Sequence, residues 1–310
     1  MTQKLKLTLS CGSYEITRAL IDGEVSAKGI ELTVLSDDRF RIYSLRRRNE
    51  VDVGEFNVTE YFRARQYGHP LLALPIYPHR RFRHGYYFVN TASGILDASD
   101  LIGRRGGISG TTPAAGVWMR GILQDQHGVP LDAVDWRENS LEPMDGSDTK
   151  TAPQTVTEDT LLSGEVDVLL SPRIPPSFDR RDARIARLFP DHVERSVDYY
   201  RRTGIFPIMH VLTIREEILE REPWVAESLY AAFEEAKRIG YQRASDPRLN
   251  PLAFFEAAWE QQRDLLGDDP WEYGLSDANR LNLETILRYT REQGRITDQP
   301  SLSELFIEVG

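Results

Sequence analysis

The 310-residue chain contains a single cysteine, Cys11, which rules out an internal disulfide and a cysteine-based zinc site. No run of about 18 apolar residues occurs, the length that marks a membrane-spanning helix. The six histidines are scattered, with no HxH, HxxxH or HExxH spacing to suggest a metal site. Neither GxGxxG, nor a Walker A loop, nor a GxSxG nucleophile elbow is present, so nothing supports nucleotide-linked redox chemistry or a serine hydrolase. Positive charge is scarce as well: 38 Lys and Arg stand against 48 Asp and Glu, a net charge of −10. Such a surface has no broad attraction for nucleic acid or an anionic membrane. The N-terminal stretch MTQKLKLTLSCGSYE alternates Leu with Lys instead of running apolar. It reads as a strand and not as a signal peptide, so a cytoplasmic protein is expected.

What is present is a strand–helix alternation over the first 210 residues or so. LKLTLS (5–10) reads as a strand, YEITRALIDG (14–23) as a helix stopped by Gly23, and GIELTVLS (29–36) as a strand. Residues 37–50 follow as a helix and VDVGEF (51–56) as a buried strand. Asn57 then caps a helix, with Glu60 three residues on in the capping-box position. PLLALPIYP and GYYFVN are further extended runs, and a second unit starts near Thr91. Thr112 and Pro113 occupy the N-cap and first helical position of AAGVWMRGILQDQHG. Segment 140–156 is polar and aperiodic, and reads as a mobile loop. IFPIMHVLTI (205–214) is an apolar return strand, and from Arg215 onward the pattern is helical.

Alternation of this kind predicts an α/β fold of parallel sheets covered by helices. The expected layout is two lobes, 1–90 plus 205–310 and 91–204, with two crossing strands and a C-terminal helical segment. A ligand cleft would lie between the lobes.

PHRRFRH (78–84) concentrates three arginines and two histidines at the first crossing of an acidic chain. In an extended segment Arg81 and Arg83 share one face, and Arg80 and His84 the other. Either the stretch is a solvated turn, or it is an anion pocket beyond the end of a strand; the second reading is preferred. SGTTPAAG sets Thr111 and Thr112 at a helix N-terminus, where free N–H groups suit an anion. Glu55 ends a strand beside the same crevice, as a counter-ion or an acid/base group. His210, on the return strand, and His84 are placed to face one another. Arg173, stiffened by neighbouring prolines, suits carboxylate recognition.

FRHGYYFVN, DLIGRRGGI, GEVDVLLSPRIP, YYRRTGIFPIMH and YGLSDANRLNLETILRYTREQG resemble the 4,5-dihydroxyphthalate decarboxylase family, and the likeness runs from Leu7 to the last helix. The resemblance implies a type II periplasmic-binding-protein-like fold and a non-oxidative aromatic carboxy-lyase that needs no organic cofactor; the histidine spacing assigns no metal ligands. For that chemistry, position and residue type suggest His84 or His210 as proton donor, with Glu55 polarising the phenol or setting a histidine's protonation state. Arg80, Arg83 and Arg173 would hold carboxylates, and Tyr14, Thr111 and Thr112 would donate hydrogen bonds. The expected partner is a small aromatic carboxylate, and a homo-oligomer is left open. His79 and Arg81 depart from the family pattern and are read as substrate-selecting. The other reading is a solute-binding protein or ligand sensor that closes on an organic anion without chemistry.

Overall fold

The computed structural model describes residues 3–36, 45–109, 113–139 and 155–309. Two five-stranded sheets organise the described residues. The first contains β1 (Leu5–Ser10), β2 (Ile30–Leu35), β3 (Val53–Asn57) and β4 (Leu71–Arg80). The second contains β5 (Tyr87–Asn90), β6 (Arg105–Ile108), β7 (Asp135–Glu138), β8 (Val168–Leu170) and β9 (Ile185–Arg187). The chain then returns to the first sheet as β10 (Ile208–Arg215), giving the orders β2-β1-β3-β10-β4 and β7-β6-β8-β5-β9. The protein is thus a two-lobed α/β molecule.

The sheets are mixed, not parallel as the alternation suggests. β1 runs parallel to β2 and β3, but β10 is antiparallel to both β3 and β4. In the second sheet β5 is antiparallel to β8 and β9. The exceptions are the strands next to the crossings. They enter their sheet from the other lobe without a helical crossover, and only a crossover returns a strand in the parallel sense.

Local signals hold where they rest on backbone chemistry. The helix Glu15–Ile21 is followed by Gly23 at φ 80°, a left-handed value that glycine adopts without steric cost. Asn57 caps the helix Val58–Gln66, its side chain accepting from the Thr59 and Glu60 amides. The Glu60 carboxylate meets Arg47 at 3.2 Å. In the helix Asp277–Glu292, Leu283, Ile286, Leu287 and Tyr289 are buried, whereas Leu281 is 45% exposed. Residues 37–44 of the expected helix 37–50, and 140–154 of the expected loop, lie outside the described residues.

The first lobe's core gathers Leu9, Phe56, Ile76, Val211 and Phe233, and the second lobe's gathers Tyr87, Met119, Leu170 and Phe189. Each such large apolar side chain contributes roughly 1.5–3 kcal/mol when fully buried. The lobes are joined by more than the chain crossings: Trp118, on the helix Pro113–His127, donates its indole N–H to the Ile208 carbonyl of β10 (2.9 Å). No helix of the described residues is long and apolar enough to cross a membrane.

Candidate active site

Glu55 lies in the middle of β3, 1% exposed, with a carboxylate that needs hydrogen-bond donors and that a buried strand position would not tolerate alone. Three donors from two other elements satisfy it. Its Oε1 takes a short hydrogen bond from His210 Nδ1 on β10 and another from the Tyr14 hydroxyl at 2.6 Å. Its Oε2 takes the Gly12 amide at 2.7 Å. Burial by itself raises the Glu55 pKa. The His210 charge and the hydrogen bonds from His210, Tyr14 and Gly12 outweigh that and hold the carboxyl below its usual range.

The turn that follows β1 makes this possible. A Cβ at Gly12 would lie 2.8 Å from the Tyr14 ring and 3.1 Å from Glu55 Oε2, so only glycine admits both neighbours. Tyr14 occupies the N-cap position of the helix Glu15–Ile21, and Thr17 Oγ1 donates to the Gly12 carbonyl (2.8 Å), which closes the turn. Cys11, buried beside it, directs its thiol at Glu55 Oε2 (3.7 Å). Burial and the Glu55 charge push that thiol's pKa well up, so it stays protonated. The sequence used Cys11 only to exclude disulfides and zinc, and spacing has no signal for its place beside Glu55.

His79, not His84, meets His210. It is the β4 register partner of His210, with ring centroids 4.8 Å apart, and it also stacks on Tyr14 at 5.8 Å. The facing of His84 and His210 expected from sequence fails because β4 ends at Arg80. A 3-10 turn then carries His84 into the second lobe, under the helix His192–Thr203. There its Nδ1 lies 3.2 Å from Ser196 Oγ and its ring packs on Tyr199. Burial, with nearby His127, Arg195, Arg202 and His192, lowers the His84 pKa to about 4.

The arginines of the stretch divide. Arg80 is buried, and its guanidinium is committed to the Glu272 carbonyl (2.8 Å), Asn279 Oδ1 (2.5 Å) and the Phe206 carbonyl (3.4 Å). These bonds tie β4 to the C-terminal helices, and Nε has no acceptor among the described residues. Arg83 is also buried, and among the described residues its acceptors are the Met209 thioether and the Pro172 carbonyl (3.3 Å). Burial and the neighbouring Arg81 charge bring its pKa down to about 9. Both Arg81 and Arg83 lie over the Tyr86 ring. Arg173 is exposed, its backbone amide donating to Ser171 Oγ (3.3 Å). The single O–H of Tyr14 is spent on Glu55. Thr111 and Thr112 lie outside the described residues. Among the described residues no group of three or more His, Cys, Asp or Glu side chains is arranged to hold a metal ion.

A buried carboxylate–imidazole pair flanked by a tyrosine is a proton-handling arrangement, and the comparisons with known proteins give it a context. A 4,5-dihydroxyphthalate decarboxylase of Comamonas testosteroni is 31% identical over 319 aligned positions, covering 98% of this chain and 96% of its own. The chain belongs to the 4,5-dihydroxyphthalate decarboxylase family. A 4,5-dihydroxyphthalate decarboxylase of Pseudomonas putida is 30% identical over 64% of this chain and 82% of its own. No protein-family model matches. Among solved structures, the alkanesulfonate-binding protein SsuA of Xanthomonas axonopodis pv. citri, bound to MOPS, superposes with a TM-score of 0.61 at 10% identity, covering 99% of this chain and all of that one. The aliphatic sulphonate binding protein SsuA of Escherichia coli gives 0.58 at 11% identity, covering 97% of each. These likenesses establish the periplasmic-binding-protein type of fold for this family member.

Proposed function

We propose that this carboxy-lyase acts on a hydroxylated aromatic carboxylate of the 4,5-dihydroxyphthalate kind, by protonation of the ring carbon that bears the departing carboxylate. The Glu55–His210 pair carries this reading, and the decarboxylase relatives over the whole chain support it. In such a substrate each carboxylate is para to a hydroxyl, whose oxygen pushes electron density onto the carboxylated carbon. His210, oriented through Nδ1 by Glu55, gives a proton from Nε2 to that carbon. The carbon–carboxylate bond then breaks, CO2 leaves, its bonding pair restores the aromatic ring, and His210 recovers a proton from water.

Glu55, kept anionic, fixes the imidazole and compensates its charge; Tyr14 acts through Glu55. His84 is neutral near pH 7 and is not the imidazolium donor, so His210 is preferred of the two histidines. Arg83, a buried cation with no carboxylate partner among the described residues, suits a substrate carboxylate. His79, beside both His210 and Tyr14, suits a substrate-selecting role.

The test is to incubate the protein with 4,5-dihydroxyphthalate and follow CO2 and 3,4-dihydroxybenzoate. Equimolar release of both is expected. Tight binding of the acid with no turnover would instead establish a binding-only role.

A further inference from the structure

Among the described residues five arginines, Arg46, Arg63, Arg80, Arg120 and Arg295, hold a buried guanidinium nitrogen that meets no acceptor, and three of them, Arg63, Arg120 and Arg295, belong to one group. Arg120, on the helix Pro113–His127, is 8% exposed, and neither its Nε nor its Nη2 has a hydrogen-bond partner. Arg63 Nη1, on the helix Val58–Gln66, and Arg295 Nε, just after the helix Asp277–Glu292, are in the same state. Arg295 is the charge they have in common. Burial lowers the pKa of Arg63 and of Arg120, the latter to about 10, and the Arg295 charge lowers both further.

The three helices pack on one another, and Glu138 at the end of β7 brings in the second sheet through its ion pair with Arg295. Arg47, ion-paired with Glu60, also lies within electrostatic reach of Arg63. Among the described residues, four guanidinium groups are thus grouped with two carboxylates, Glu60 and Glu138. Arg80 also has a partnerless Nε, but both of its terminal nitrogens find oxygens, two carbonyls and an asparagine side chain. Buried donors without acceptors are rare in folded proteins, and a cluster of them on positive groups is the pattern of a site awaiting an anion.

We propose that Arg63, Arg120 and Arg295 form an oxyanion-binding site where the two lobes meet, which takes a carboxylate or an anion of similar geometry. The planar guanidinium fork matches such a ligand with paired N–H donors. Two sources have this chemistry. One is the second carboxylate of an aromatic dicarboxylate substrate, an arm that rests on the function proposed above. The other is a free anion such as phosphate.

The test is calorimetric titration of the full chain and of Arg120→Met with phthalate, benzoate and inorganic phosphate, none of which carries the activating para-hydroxyl. Turnover is not needed, so failure here is distinct from failure of the decarboxylase reading. If the substrate supplies the anion, wild type binds phthalate at least tenfold more tightly than benzoate, and Arg120→Met loses that preference. If a free anion occupies the site, phosphate binds wild type and not the variant. Isotherms unchanged by the substitution, or no binding of phthalate or phosphate by wild type, would overturn the proposal. Ligand-free Arg120→Met should melt no lower than wild type, because the lost group had no partner. A lower melting temperature would mark Arg120 as a support of the fold and count against the site. Arg63→Met, at a less buried position, serves the same titrations if Arg120→Met fails to fold.

Discussion

Glu55 and His210 meet across a diagonal of the β3–β10 ladder. His210 lies opposite Asn57 and Glu55 opposite Leu212, yet the carboxylate and Nδ1 close the gap. Diagonal neighbours on one face of an antiparallel pair are about 7–8 Å apart at the backbone, a span that two long polar side chains can bridge. The pair is therefore mounted on two adjacent hydrogen-bonded strands, which keeps its geometry rigid.

Removing either member should stop the chemistry without unfolding the protein. Glu55→Gln keeps the shape and loses the charge, and turnover of 4,5-dihydroxyphthalate should fall by about 10²–10⁴, as should that of His210→Ala. The double variant should be hardly slower than the slower single, because the two act as a unit. Steady-state kinetics checks this, and near-normal rates for Glu55→Gln would remove the pair from the mechanism.

Tyr14 touches the reaction only through Glu55, so its loss should show in pH as well as in rate. The Tyr14 hydrogen bond helps to lower the Glu55 pKa. Tyr14→Phe should raise that pKa and move the acidic limb of the kcat/KM profile to higher pH. A fall in rate with an unmoved profile would contradict the role.

His84 makes stability depend on pH. Its folded pKa of about 4 lies below the ordinary histidine value of about 6.5, so the unfolded chain binds the proton more readily. The stability linked to this residue is whole above pH ~6.5 and drains away as pH falls through the window down to about 4. The loss amounts to ~3 kcal/mol by linkage. Urea unfolding across this range should show a shallower decline for His84→Asn than for wild type; parallel curves would refute it.

Gly240 sits where the helix Trp224–Ala244 presses on the turn that carries Tyr14. A Cβ there would come within 2.6 Å of the Glu15 carbonyl oxygen, a backbone atom that cannot swing aside. Gly240→Ala should cost ~1–3 kcal/mol in chemical denaturation. An unchanged midpoint would show that the two helices can part without cost.

Much of the site was legible as residue types and not as contacts. Glu55, His210 and Tyr14 stand out because each is a polar group within or beside an apolar run. Their joining was not legible, since it depends on which strands become neighbours. The same limit explains the error over His84. Two histidines on crossing segments look equivalent in a string, but β4 stops at Arg80, and the turn after it sends His84 into the other lobe. The partners of Arg80 were not legible for a related reason: they are 126 to 199 residues away in sequence.

From the sequence alone come the local elements, the α/β class, the family and the absence of standard metal or nucleotide motifs. These depend on periodicity, caps and composition, which are properties of neighbouring residues. The tertiary structure alone decided that the crossing strands run antiparallel, that His79 rather than His84 flanks His210, and that Arg63, Arg120 and Arg295 gather between the lobes. Each of those facts brings together residues far apart in the chain, and only the packed sheets and helices determine which distant side chains share a buried space.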